Sequence, residues 1–203
     1  CRYLFTGANP NNYITFNGEE AGWRIISVEC DGTIKIMKND SIGDQYWDSS
    51  GSNNWARPAS LNTYLNGTYY NGLNSTAKNQ IVAKDWSIGA VINNNSNMAT
   101  QINNENSTKW NGKVALVTMS EYIRSNSNKR SCGTVSFYSG NYSSCRNTTW
   151  MYYSSDWWWT LSPWSGHSNI VFDVSGDGHF GSGGASDPGD AVRPALYLSS
   201  EVK

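Results

Sequence analysis

The sequence predicts an α+β domain built on an antiparallel sheet, with two flanking helices and long loops. Three observations carry that expectation. Residues 22–37 read GWRIISVECDGTIKIM, two strand-forming runs joined by Asp31-Gly32, a tight-hairpin dipeptide. Leu61, Tyr64 and Leu65 share one face at helical spacing just after Pro58. Late in the chain, Trp157–Leu161 and Val192–Leu198 are apolar strand signals that enclose a run of Ser, Gly, Asp, His and aromatic residues. At 203 residues the chain is long enough to bury a sizeable core, and 1–203 reads as one domain.

Taken in order, Tyr13–Phe16 is a β-branched and aromatic strand, and Asn17-Gly18 is a turn into the strand Gly22–Glu29. Thr33–Met37 returns, with Ile34 and Ile36 alternating with polar neighbours. Residues 40–54 are a polar loop in which Tyr46 and Trp47 are embedded, with Trp55 just beyond. A helix starts near Ala59 and is expected to stop at Asn66-Gly67. Ser75 opens a second short helix, and Asp85–Ile92 reads as strand. Asn93–Asn111 has no apolar period and reads as an Asn-rich insertion or long loop. Lys113–Val117 is a buried strand, and Ser120 is expected to cap a helix from Glu121 to about Ser125.

Composition narrows the function classes. Charged residues make up only 15% of the chain and the net charge is -1, with no basic stripe of the kind a nucleic-acid footprint needs. No apolar run approaches membrane-spanning length, so direct membrane insertion by this segment is not expected. Ten Trp and twelve Tyr accompany abundant Asn, Ser, Thr and Gly, a neutral aromatic mixture that suits extracellular binding proteins. Four cysteines, no C-x-x-C spacing and only two histidines favour disulfides over zinc. Of three pairings, the local one closes the cheapest loops: Cys1–Cys30 and Cys132–Cys145, the second stapling a Ser/Tyr/Gly loop.

The order of GWRIISVECDGTIKIM, residues 61–82, GKVALVTMSEYI (112–123), WWWTLSP (157–163) and VRPALYL (192–198) resembles a bacterial C-type-lectin-like domain of secreted and surface proteins. Among such domains the variable proteins of diversity-generating retroelements receive sequence variation in the last segment. The resemblance runs from Tyr13 to Leu198 and implies that N- and C-terminal strands pair while two helices flank the sheet. Two features depart from it: Asp190-Ala191 stands where Gly often precedes V-R-P-A, and the 93–111 insertion is outside the pattern. Formylglycine-generating enzymes share the fold family but use cysteines near the C-terminal end. No cysteine follows Cys145, so that activity is not carried over.

The reading is therefore a non-catalytic, extracellular binding module, secreted or displayed on the cell surface, without a cofactor or metal. Its partner is a protein or glycan ligand on another cell, phage or host surface. The expected binding residues are Trp164, Ser165 and His167 in the loop before a hairpin, Val171, Asp173 and Ser175 facing outward on its first strand, and Asp177, His179, Ser182 and Asp187 beyond. Joint substitution of Ser165, His167, Asp173, Ser175, His179 and Ser182 is expected to leave folding nearly unchanged. Asp173 to Gly178 superficially resembles a calcium loop, but Gly176-Asp177-Gly178 reads as the hairpin turn. Ser, His and Asp coexist here without the G-x-S-x-G elbow of a triad, and a secreted hydrolase acting on glycans or peptides through Asp and His groups in the same cleft is the lesser alternative. A structural subunit of a surface appendage is another. Arg193 before Pro194 reads as a candidate anion site, but the resemblance implies a structural role in which its donors satisfy loop carbonyls.

Overall fold

Two left-handed turns set the architecture. In the computed structural model, which describes residues 1–93, 97–128, 132 and 145–201, Asn17 (φ 55°) and Gly18 (φ 75°) turn β2 (Tyr13–Phe16) into β3 (Glu19–Val28). Gly32 (φ 83°) then turns β3 into β4 (Ile34–Lys38), where Asp31 Oδ1 accepts from the Thr33 amide at 3.0 Å. The short β1 (Tyr3–Leu4) pairs with the end of β3, and the Cys1–Cys30 disulfide closes the same corner.

The C-terminal strand β12 (Ala195–Leu198) slots in beside β4, with Leu196 opposite Ile36. Its other edge is split between β8 (Val114–Ala115) and β5 (Ile81–Val82), so a short strand is hydrogen-bonded along both sides. That position explains why all four of its residues are buried and read as an unbroken apolar run. The result is a seven-stranded antiparallel sheet with β1-β3-β4-β12-β5 as its spine. A second sheet holds β9 (Trp158–Pro163), β10 (Ile170–Val174) and β11 (Phe180–Gly184), and a two-stranded ladder holds β6 (Lys84–Ser87) and β7 (Lys109–Gly112). The α+β class is as expected. The terminal regions meet through β4 and β12, while the first strand itself lies on β3.

Three helical expectations change. The segment beginning with α1 (Ser60–Tyr64) does not stop at Asn66-Gly67. It widens into a π-turn at Leu65–Tyr69 and runs on into α2 (Tyr70–Gly72). Asn66 is used there as a tether: its amide donates to the carbonyl of Val114 at 2.9 Å, and its Oδ1 accepts from the Val114 amide at 3.0 Å. The second short helix, expected from Ser75 through Ile81 and Val82, forms as α3 (Ser75–Gln80), capped by Asn74, but Ile81–Val82 leaves it as strand β5.

The Asn-rich insertion is also more ordered than its composition suggests. Asn97 caps a nine-residue helix, α4 (Met98–Asn106), and β7 follows. Its inward face carries Gln101 and Glu105, 0% and 3% exposed. A helix that buries polar side chains against polar partners shows no apolar period. Finally, α5 (Met119–Arg124) is capped by Thr118 rather than Ser120, in a reciprocal capping box with Glu121. Ser120, inside the helix, donates both its amide and its hydroxyl to Glu105.

Tryptophan builds the interior. Trp23, Trp47, Trp55, Trp86, Trp158 and Trp159 are fully buried. Several are also tethers: the Trp47 indole donates to the Thr160 carbonyl at 3.1 Å and the Trp159 indole to the Gln45 carbonyl at 2.8 Å. The polar loop 40–54 is thereby pinned to β9. Arg193, 1% exposed, donates to the carbonyls of Asn39 (3.0 Å) and Met151 (2.8 Å), and its guanidinium lies over the Tyr153 and Trp158 rings. It is a structural cation, as its sequence context implies.

Candidate ligand-binding site

The loop between β9 and β10 turns at Gly166 (φ 84°) and is held by backbone on both sides. The Trp164 amide donates to the Ile170 carbonyl at 3.0 Å and the Ser165 amide to the Val91 carbonyl at 2.7 Å. From across the gap, the Asn53 amide side chain donates to the carbonyls of His167 (2.6 Å) and Ile170 (2.9 Å). The half-buried Trp164 ring stacks on Phe172, centroids 5.2 Å apart, and touches the His167 ring at 4.6 Å. Around it lies a cavity of about 300 Å³ lined by Asn53, Asn54, Thr108, Trp164, Ser165 and His167, with no Asp, Glu, Lys or Arg on its wall. Three expected site residues therefore converge, while Asn53, Asn54 and Thr108 were not anticipated. The side chains of Ser165 and His167 are exposed and have no hydrogen-bond partner among the described residues.

The strand half of the expected surface is corrected. Val171, Asp173 and Ser175 are 0%, 2% and 2% exposed, not outward-facing. The face carrying Val171 and Asp173 lies under Trp157 and Trp159. These rings cross β11 where Gly181 and Gly183 leave room: a Cβ at Gly181 would collide with the Trp157 ring, and one at Gly183 would sit 2.9 Å from Trp159 Cη2. Both faces of β10 are thus interior, so period-two alternation could not tell which side met solvent. Joint substitution that includes Asp173 and Ser175 is now expected to destabilise the fold.

Residues 175–179 form the hairpin turn, with the Gly178 amide donating to the Ser175 carbonyl at 2.9 Å and Gly178 at φ 91°. Ser175, Asp177 and His179 do meet at its tip. However, Ser175 Oγ lies 3.0 Å from His179 Nδ1, the same nitrogen that Asp177 contacts. A relay needs Asp on one imidazole nitrogen and the nucleophile on the other. This trio caps a turn. The half-buried Ser182 lies opposite Phe172 on β11, and the exposed Asp187 accepts from the Gly184 amide at 2.8 Å, which makes it a turn cap too. Among the described residues, no group of three or more His, Cys, Asp or Glu is placed to hold a metal ion. The stapled loop at 133–144 lies outside the described residues, but its Cys132–Cys145 disulfide is formed.

Sequence reading missed two polar constellations. The first is a carboxyl pair. Burial, then the neighbouring Asp190 charge, push Asp173 up to about 9, and burial with Asp156, Asp187 and Asp44 raises Asp190. Asp173 Oδ1 and Asp190 Oδ2 have no donor among the described residues, and a proton shared by the pair supplies one. An unfolded Asp titrates near 3.8, so the folded chain holds more protons between that pH and about 9. Stability is then present in full at low pH and declines as pH rises through this window. Melting temperatures should fall from pH 5 to pH 8, and Asp173→Asn should flatten the slope. An unchanged slope in the variant would show that the pair does not hold the extra proton.

The second constellation is a charged cleft of about 200 Å³ between β4, α4, α5 and β7. Lys35, 3% exposed, donates to Glu121 Oε1 at 2.6 Å, and Arg2 bridges Glu121 (3.2 Å) and Glu29 (3.0 Å). Burial pushes Glu105 up to about 7, against the hydrogen bonds it accepts from Ser120. Burial, and then the Arg2 charge, lower Arg124. The two cavities lie on either side of the β6–β7 unit: Ser87 and Lys109 line the charged one, Ile88 and Thr108 the neutral one.

A family model described as a domain of unknown function, DUF6273, matches residues 31–200. No curated protein and no solved structure matches the chain.

Proposed function

The chain belongs to the DUF6273 family, and within that family we propose that it is an extracellular, non-catalytic binding module of C-type-lectin-like plan that recognises an uncharged glycan. One observation carries this reading. A loop anchored through the Trp164 and Ser165 amides and the His167 and Ile170 carbonyls presents an aromatic ring, an imidazole and a hydroxyl to a charge-free concavity, with Asn53 and Asn54 opposite. Such a site recognises hydroxyl-rich, uncharged ligands through stacking and neutral hydrogen bonds, with little ordering cost on binding. Its volume lies at the lower end of the usual range for small-ligand pockets, which suits a terminal sugar of a surface glycan. Two disulfides support an oxidising compartment, since such bonds persist outside the cytosol. Among the described residues no helix is long and apolar enough to cross a membrane.

Under this reading, the variable positions of the resembled retroelement proteins narrow here to residues whose side chains reach solvent. Ser165, His167, Asp177 and Asp187 qualify, and the buried Val171, Asp173 and Ser175 do not.

A glycan array probed with the wild-type chain and with His167→Ala and Trp164→Ala tests the assignment. His167→Ala should keep the melting temperature, because exposed substitutions usually change stability by about 0.5 kcal/mol or less, and should weaken glycan binding about tenfold or more. Trp164→Ala should abolish binding. Binding to a protein partner instead, with no glycan retained, would replace the ligand class. Glycan binding untouched by both variants would move the site elsewhere.

A further inference from the structure

The charged cleft is lined by residues other than those of the Trp164 concavity. Four cations line it, Arg2, Lys35, Lys109 and Arg124, but they are not equivalent. Arg2 and Lys35 are occupied by Glu29 and Glu121. Among the described residues Lys109 Nζ donates only to neutral oxygens, Ser87 Oγ at 2.8 Å and Asn106 Oδ1 at 2.6 Å. The half-buried Arg124 guanidinium has no hydrogen bond or ion pair among the described residues. The acids, in contrast, are all provided for: Glu105 by Ser120, Asp85 by Asn111, and Glu29 and Glu121 by the occupied cations. A partly buried guanidinium with five donors and no acceptor is costly to leave unmatched.

We propose that Arg124 and Lys109 form a binding site for a small monocarboxylate, distinct from the neutral concavity around Trp164. The Arg124 fork suits a carboxylate held by two parallel bonds, and Lys109 adds a second charge from β7. The remaining wall limits the ligand's charge: Arg2 and Lys35 balance Glu29 and Glu121, burial favours the neutral form of Glu105, and Asp85 offsets one of the two cations Lys109 and Arg124, so one negative charge is the match. A cleft of about 200 Å³ admits a small acid or a single acidic residue of a polymer.

The test titrates the intact chain with sodium acetate, glutamate and glucuronate against sodium chloride of equal ionic strength. Binding is read from NMR shifts of the backbone amides of Glu105, Lys109 and Ser120. At least one carboxylate should give a saturable shift that chloride does not, and glucose should give none. Arg124→Gln and Lys109→Gln should each weaken it about tenfold, the equivalent of about 1.4 kcal/mol for a lost charge-assisted contact. Arg124→Lys, which keeps the charge, should retain more of the binding. Lys109→Gln lies on a strand at the surface and keeps the test decisive should Arg124→Gln melt early. No difference from chloride for any of the three acids, or an undiminished response in both Gln variants, would overturn the site. Sulfate binding more tightly than every carboxylate would overturn its charge assignment. Trp164→Ala should leave carboxylate binding intact, which separates failure of this site from failure of the glycan site. A small acid and an acidic polymer are distinguished by comparing glucuronate with polygalacturonate.

Discussion

Trp158→Ala should lower stability by about 3–5 kcal/mol, the cost of truncating a large core aromatic where the surroundings cannot collapse into the gap. Trp158 is 0% exposed and sits where three parts of the chain meet. Its ring packs edge-on against Tyr122 of α5 at 5.8 Å, lies 4.8 Å from the Arg193 guanidinium, and its backbone bridges to Ala191. Truncation would both open a cavity and strip an aromatic face from a buried cation. Urea unfolding gives the measurement: the midpoint should fall sharply while the slope stays constant. A loss no larger than that of His167→Ala would mean that the Trp158 site can relax, and that the second sheet is not anchored there.

Lys35→Met should cost about 3 kcal/mol, the lower end of the range for breaking a buried ion pair, because Arg2 still reaches Glu121. Burial alone would raise the Glu121 carboxyl. The Lys35 ammonium and the Arg2 guanidinium overcome that and hold it at about 2. Glu121 therefore adds stability that is present above its ordinary value of 4.5 and lost as pH falls toward about 2. In Lys35→Met this acid-limb dependence should shrink. The double variant Lys35→Met/Glu121→Gln should recover much of the loss, since Gln can still accept the Thr118 amide in the capping box. A double variant no better than the single one would show that Lys35 acts through its packing on Trp86 and Tyr197.

These expectations separate what was legible in the sequence from what was not. Residues 13–37 and their two turns follow from local chemistry, since Asn17-Gly18 and Asp31-Gly32 supply the left-handed conformations that hairpins need. The disulfide partners follow from spacing, and the turn at 175–179 from its glycines. At the candidate site, the grouping of Trp164, Ser165 and His167 on one wall was legible because their loop is built from neighbours in sequence. Asn53, Asn54 and Thr108 were not, because only the folded chain brings residues more than fifty positions apart to one wall.

The abundance of tryptophan pointed toward a surface, yet six of the ten side chains are fully buried. Composition says how much aromatic area a chain carries, and packing decides which side of the molecule receives it. The same limit hid Glu105. Its helix buries Gln101 and Glu105 against Ser120 and its neighbours, and polar burial leaves no hydrophobic period to read. Local periodicity and turn chemistry therefore determined the strands, the hairpins and the class of fold. Tertiary packing alone decided which face of β10 is interior, and which charged residues share a cleft. Those outcomes depend on what lies across from a residue, and one strand or helix does not encode its opposite wall.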